Sequence, residues 1–417
     1  MRLALLIVLV VGICAAQSRA DAPVTEDWPQ WRGPRGDGSS LEQNLPTHWS
    51  ATENIAWKAA VPGKGHSSPI VVGDRIFLTT CLEEKGERML LCYSRVDGKP
   101  LWQREVLRSP LEKKHELNSF ASATPCSDGK HVWVSFFETP KIVLVCYDME
   151  GNEVWRKSPG TFASMHGFCS SPVLYKDNLI LNCDQDAPAF IVALDKETGE
   201  ERWRTDRPNR TRSYCTPAFF NVNGSKQMIL SGSKCVTGYD ADTGKLLWIV
   251  DGPTEQYVAS LVMTDGVVFL TAGFPEHHLL GIDPTGTGDI TKSPHVLWHE
   301  KKDHRAVSYV PSPVAYGHWF FLVSDGGTGT CWEAKTGKQL WKQPVSPHQS
   351  ASGIVAGGNV YFTGDDGETT VFKAAPTFEL ISKNPLGENC YASPAVSRGQ
   401  IFIRTSHTLW CVSPFPS

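Results

Sequence analysis

The feature that most constrains this chain is a repeat. Residues 54 to 413 divide into eight units averaging 45 residues, and self-similarity at such a period decides architecture before any local pattern does. One unit shows the plan: Ser171-Pro172-Val173-Leu174-Tyr175, a Lys176-Asp177-Asn178 turn, Leu179 to Cys183, Phe190 to Asp195, a Thr198-Gly199 turn and Trp203. Each run is short, β-rich and bounded by turn formers, the pattern of four antiparallel strands. First strands open near Ser68, Thr124, Ser171, Thr216, Ser260, Ser312, Ser352 and Ser393. The second half is as regular. Asp97-Gly98 to Trp102, Glu150-Gly151 to Trp155, Thr198-Gly199 to Trp203, Thr243-Gly244 to Trp248 and Thr336-Gly337 to Trp341 each place a Trp five residues after the first turn residue.

Two units depart from the plan. In the fifth, Asp283 to His295 lengthen the turn before Trp298; in the seventh, Ile381 stands at the expected Trp position. The eighth start leaves chain for only three strands. The fourth is expected from Asn54-Ile55-Ala56-Trp57-Lys58, pairing the N-terminal strand with the last repeat so that no edge is left open. The sequence therefore predicts an all-β fold, an eight-bladed β-propeller of four-stranded blades spanning 54–417, preceded by an arm at 21–53.

Residues 1–20 have the form of a secretory signal peptide: Arg2, an apolar core from Leu3 to Val11, and small residues ending Ser18-Arg19-Ala20. Acylation at Cys14 fits less well, because bulky Ile13 precedes it. The apolar run is too short for a membrane span and no second one follows, so the mature chain is expected to be exported, periplasmic or extracellular. Its removal takes away two arginines and no acid, moving the net charge from −4 to −6. An acidic balance argues against a nucleic-acid partner.

The repeated Asp, Thr-Gly and Trp unit, clearest at Ala193-Leu194-Asp195 to Trp203 and Tyr239-Asp240 to Trp248, resembles the pyrroloquinoline-quinone-type (PQQ-type) propeller repeat with its tryptophan-docking motif. Quinoprotein dehydrogenases share that repeat, as does the non-catalytic outer-membrane assembly propeller of the Bam complex. The opening Trp28-Pro29-Gln30-Trp31-Arg32-Gly33-Pro34 and the segment Gly288-Asp289-Ile290-Thr291 are most similar to secreted bacterial PQQ-like propellers. The repeat is specific for fold and weak for function.

Eleven cysteines follow residue 20, and an odd number cannot all pair. Cys92, Cys146, Cys331 and Cys411 share a third-strand position with Ala193, Gly238 and Gly281, so they are read as small packing residues. No Cys-Cys pair exists, whereas the resemblance to quinoprotein dehydrogenases implies adjacent cysteines beside the cofactor.

In a propeller, the segments leading into the first strands converge on one mouth of the channel. They carry His66, His166, Arg212, Tyr214, Tyr257, Tyr309, Gln349 and Tyr391, the candidate ligand-binding set. Rigid aromatics with a few donors suit a small ligand or peptide, anionic or aromatic in character. A quinoprotein would need a carboxylate base and a Ca²⁺ cage. Asn118, Asn389, Glu116, Glu255 and Glu388 lie near the mouth, but no spacing identifies a cage. Asp283 and Asp289 read as turn residues. The expectation is an exported, non-catalytic propeller binding a protein partner or small ligand at its aromatic mouth. The alternative is a PQQ- and calcium-dependent alcohol or sugar dehydrogenase.

Overall fold

The computed structural model describes residues 25–301 and 307–414. The expected signal peptide and His304-Arg305, which belong to the segment leading into the sixth blade, lie outside the described residues. Eight sheets follow one another around a ring, seven of four antiparallel strands and one with a fifth strand added to its antiparallel four. Blade 1 comprises Ile70–Val72, Arg75–Leu82, Glu87–Ser94 and Pro100–Arg108. Blade 8 comprises Ala395–Ser397, Gln400–Arg404 and Thr408–Val412, with Ile55–Ala60 from the other end of the chain as its outer strand. Trp57 stands opposite Cys411 and Ala59 opposite Leu409.

The recurring Ser or Thr at each blade start has a physical cause. Its hydroxyl accepts a hydrogen bond from the backbone N–H of the preceding blade's start residue: Ser68 to Thr124, Thr124 to Ser171, Thr216 to Ser260, Ser260 to Ser312, Ser312 to Ser352, Ser352 to Ser393 and, closing the ring, Ser393 to Ser68, all at 2.9–3.0 Å. All eight residues are buried. Where the ring is too narrow for backbone pairing, a hydroxyl supplies the partner that a buried N–H requires.

The Trp repeat is the matching device at the rim. In five blades the ring lies on the turn of the next blade and its Nε1–H donates to a carbonyl there: Trp57 to Arg95, Trp102 to Met149, Trp155 to Lys196, Trp298 to Ala334 and Trp341 to Ala375, at 2.8–3.1 Å. This explains the turn glycine. Gly98 has φ +69°, and a Cβ there would meet the Trp57 ring at 2.4 Å. The ring also explains the small third-strand position, because Cys92, Cys146, Ala193, Gly238, Gly281, Cys331 and Cys411 stand directly opposite the docking tryptophans. All eleven cysteines are free thiols, ten of them buried.

Two details differ from the sequence reading. In blade 7 the register places Ser382, not Ile381, opposite the third-strand residue, which there is the larger Val371. A docking Trp on blade 7 would rest on the turn of blade 8, and blade 8 has none, since its outer strand comes from the N-terminus. The arm supplies a substitute. Ser382 Oγ and Asn384 Nδ2 donate to Thr47 O, Trp49 N donates to Asn384 Oδ1 at 2.9 Å, and Trp49 is buried in one cluster with Val371. The second detail is the fifth-blade insertion, which is more than a long turn. Gly288–Asp289 adds a parallel fifth strand to blade 4 beside Trp248 and Ile249. Trp248 is fully buried as a result, and Gln227 relays it, accepting from its Nε1 at 2.9 Å and donating to Pro284 O. Asp283 and Asp289 do serve as turn residues, accepting from Thr285 N and Thr291 N.

The arm crosses one end of the ring. Trp28 pairs with Val71 in blade 1, Pro29 O accepts from Ser127 N in blade 2, and Gln30 Oε1 accepts from Leu174 N in blade 3. Arg32 donates to Pro313 O beside blade 6, Ser40 N to Val355 O in blade 7, and Arg398 N to Glu42 Oε1 in blade 8. The residues before each first strand lie at the opposite end.

Candidate functional site

All eight lead-in segments contribute to one cavity of about 720 Å³ at the end opposite the arm. Of the eight candidate residues, His66, His166, Arg212, Tyr214, Tyr309 and Tyr391 line it. Tyr257 and Gln349 do not. Tyr257 is fully buried with its hydroxyl donating to Gly252 O at 2.7 Å, and Gln349 Nε2 donates to Ala351 O and Thr363 O. Their neighbours Gln256 and His348 line the cavity instead. Successive side chains of an extended segment point to opposite sides, so a one-residue difference exchanges a cavity-lining group for a structural one.

The walls are hydrogen-bonded into place. Tyr309 OH donates to Gln256 Oε1 at 3.1 Å, Tyr214 OH meets Ser164 Oγ at 3.1 Å, and Asn118 Nδ2 donates to His166 O at 2.8 Å. The His66 and Tyr391 rings lie 4.9 Å apart, and those of His115 and His166 meet edge-on at 5.4 Å. Leu117, Met165 and Phe274 belong to the same lining and are about half or more exposed, giving the cavity an apolar edge.

Hydrogen-bond donors dominate. Burial opposes the charge on Arg212, but its bond to Asp186 at 2.8 Å outweighs that and raises its pKa. Burial, then Arg404 and Lys114, bring His66 down to about 4, and burial and Arg212 lower His166. Both imidazoles are therefore neutral at pH 7. Burial raises the Tyr309 phenol to about 12 and pushes the Tyr214 phenol up as well, keeping both protonated. Among the described lining residues Asp325 is the one carboxylate. Both its oxygens accept backbone N–H groups, from Tyr309 at 2.7 Å and Val310 at 3.1 Å. Asp325 and Phe274 come from the hairpins between second and third strands, which reach the same mouth although they lie outside the lead-in segments.

Fold and site together define the chain as an eight-bladed PQQ-type propeller with a donor-rich cavity at one mouth. Residues 43–137, 140–290 and 292–377 match the family described as outer membrane protein assembly factor BamB, and the chain belongs to that family. Among solved structures it is similar to BamB from Moraxella catarrhalis, with 12% identity over 85% of this chain and 96% of that one, at a TM-score of 0.59. It is also similar to the quinohemoprotein alcohol dehydrogenase of Comamonas testosteroni, with 12% identity over 92% of this chain and 80% of that one, TM-score 0.67. A computationally designed protein, Ika8, has the same fold at 14% identity, over 90% of this chain and 99% of that one, TM-score 0.55. No curated protein matches the chain. At such identities the likenesses establish the fold alone.

The quinoprotein relatives raise the question of PQQ with Ca²⁺. Calcium takes six to eight oxygen ligands. Here the oxygens of Asp325 are engaged by backbone N–H groups, and Asn118 Oδ1 accepts from Ser119 N and Ser122 Oγ. Glu116, Glu255, Glu388 and Asn389 are not in the cavity lining. The donor set of this cavity does not fit a calcium cage. One His/Asp/Glu cluster, Asp128, His131 and Glu197, lies between blades 2 and 3 away from the mouth, and Lys196 already pairs with Asp128 at 3.0 Å.

Proposed function

We propose that this protein is an exported, non-catalytic propeller that binds a small ligand in the mouth cavity. Residues 1–20 act as signal peptide, 21–53 as an arm and 54–417 as the propeller. The observation that carries the reading is the convergence of all eight lead-in segments on one cavity of about 720 Å³, a size within the range of small-molecule sites. Its chemistry is aromatic walls, neutral imidazoles and a charged guanidinium. That set favours an aromatic or anionic ligand bound by stacking and donated hydrogen bonds. Asp325, the one carboxylate among the described lining residues, is held by two backbone N–H groups, which supports a role in holding a ligand.

The test is a calorimetric titration of the purified protein with PQQ plus Ca²⁺ and with small aromatic acids and amides, followed by dye-reduction assays on alcohols and sugars. Binding of aromatic probes, weakened roughly tenfold by Tyr214→Ala or Tyr309→Ala through loss of a stacking face, without turnover, is the expected result. Calcium-dependent PQQ binding with turnover would overturn the reading in favour of a quinoprotein. Absence of any small ligand, with capture of a cell-envelope protein, would move the function to partner docking.

A further inference from the structure

Each blade offers an internal comparison at the mouth-side end of its second strand. In register with one another stand Thr79, Ser135, Asn182, Ser231, Thr271, Val323, Thr363 and Arg404. All eight are buried. The short polar members serve the ring: Thr79 Oγ1 donates to Ala123 O, Ser135 Oγ to Ser170 O, Asn182 Nδ2 to Cys215 O and Ser231 Oγ to Ala259 O, each a carbonyl of the next lead-in segment.

In blade 8 Arg404 Nη1 does the same job, donating to Ser67 O, Ser67 Oγ and Thr79 O at 2.7–3.1 Å. A threonine would suffice for that. The rest of the guanidinium is unexplained by the ring. Nε and Nη2 are buried and have no hydrogen-bond partner, and among the described residues no carboxylate is within ion-pair distance. A buried, unpaired charge is strongly unfavourable unless something of opposite charge joins it. Burial alone draws its pKa down to about 10, still a cation at neutral pH.

Arg404 lines a side cavity of about 190 Å³ that shares His66 and Tyr391 with the mouth cavity. Its Nη2 lies so close to Gly65, also in that wall, that a Cβ there would meet it at 2.7 Å. Lys64, Ala392, Thr405, Ser406 and His407 complete the lining. Nearby, Glu388 is occupied by Thr405 Oγ1 and His407 N, and Lys64 by Glu83 at 3.1 Å. Nε–H and Nη2–H point in parallel from one edge of the guanidinium plane, the edge that takes a carboxylate in two hydrogen bonds.

We propose that this side cavity is a carboxylate seat, in which the Nε/Nη2 edge of Arg404 anchors the acid group of a small ligand whose aromatic body lies in the mouth cavity against His66 and Tyr391. The seat rests on the small-ligand reading above and narrows it to carboxylic acids. It is distinct from Arg212, which Asp186 already neutralises.

The experiment compares benzoate with its neutral analogue benzamide by calorimetry or ligand-observed NMR at constant ionic strength, with benzylphosphonate as a third probe. Wild type should bind benzoate roughly tenfold or more tighter than benzamide, because a charge-assisted fork replaces neutral hydrogen bonds. Arg404→Thr installs the residue that three other blades carry here, so it keeps the ring contact and should fold while the preference collapses to near unity. Should that variant fail to fold, Arg404→Lys keeps a charge, loses the fork and is expected to lose most of the preference. Equal binding of benzoate and benzamide by wild type would overturn the seat while leaving the mouth reading intact. So would a preference that survives in Arg404→Thr, which would assign the anion to Arg212. A tighter benzylphosphonate would overturn the carboxylate assignment. Binding of none of the probes would sink both readings.

Discussion

His66 sits where the two cavities meet, and its environment sets a pH limit on the protein. Its pKa in the fold is about 4 against an ordinary 6.5, chiefly through burial. Between those values the unfolded chain takes up the proton more readily, so stability is whole above pH 6.5 and declines as the pH falls toward 4. The gap corresponds to at most about 3 kcal/mol. Melting curves of His66→Asn between pH 7 and 4 should have a flatter acid limb than wild type; superimposable slopes would mean that His66 is solvated in the native state. The cysteines behave in the opposite sense. Burial raises Cys92, Cys390 and Cys411 to about 12, which leaves them protonated and poorly nucleophilic. Cys92 and Cys411 fill the narrow slot beneath a docking Trp, as the sequence pattern of Ala, Gly and Cys at one position implied.

Blades are held to one another by two repeated devices, the hydroxyl belt at the inner strands and the Trp on the neighbouring turn at the rim. Both were visible as spacings in the sequence, although only the assembled ring gives the belt its reason: Ser393 and Ser68 are 325 residues apart and 3.0 Å apart in space. Ser68→Ala removes the acceptor and strands the Ser393 N–H in a buried site, at a cost of about 1–3 kcal/mol. Chemical denaturation should register that loss, while Ser68→Thr, the residue found at Thr124 and Thr216, should restore most of it. An unchanged midpoint in Ser68→Ala would show that the belt bond is replaceable. Blade 7 marks the limit of reading elements from spacing. Its docking position falls at Ser382 rather than Ile381, because the turn after Val371 is one residue longer than in the blades that carry the Trp at regular spacing, and the ring it lacks arrives from Trp49, more than 300 residues away in the chain.

At the scale of the molecule, the ring is closed by non-covalent bonds between two distant parts of the chain. Trp57 joins the closing strand to blade 1, donating to Arg95 O at 2.9 Å and packing on Gly98. Its replacement by Ala removes both the rim contact and much of the burial of the closing strand, and about 3–5 kcal/mol of stability is the expected loss. Urea unfolding measures it directly. A loss under about 1 kcal/mol would mean that the closing strand contributes little to the cohesion of the ring. The arm adds a second tie, since it touches blades 1, 2, 3, 6, 7 and 8 across the end opposite the cavity. All eight lead-in segments face the mouth at the other end.

The eight-fold period, the strand-bounding turns and the Trp spacing determined the architecture from sequence alone, because each blade is a local meander whose neighbours in space are neighbours in the chain. The same locality located the mouth and six of its eight expected residues. What the tertiary structure decided was non-local or directional. It set which of two adjacent side chains faces the cavity, as with Gln256 against Tyr257 and His348 against Gln349. It brought the second-strand hairpins with Phe274 and Asp325 to the same mouth and laid the arm across the other. It also left the buried guanidinium of Arg404, in a cavity wall, with two donors unanswered. Spacing carries no information on these points, since they depend on backbone orientation and on contacts made only when the first and last repeats meet.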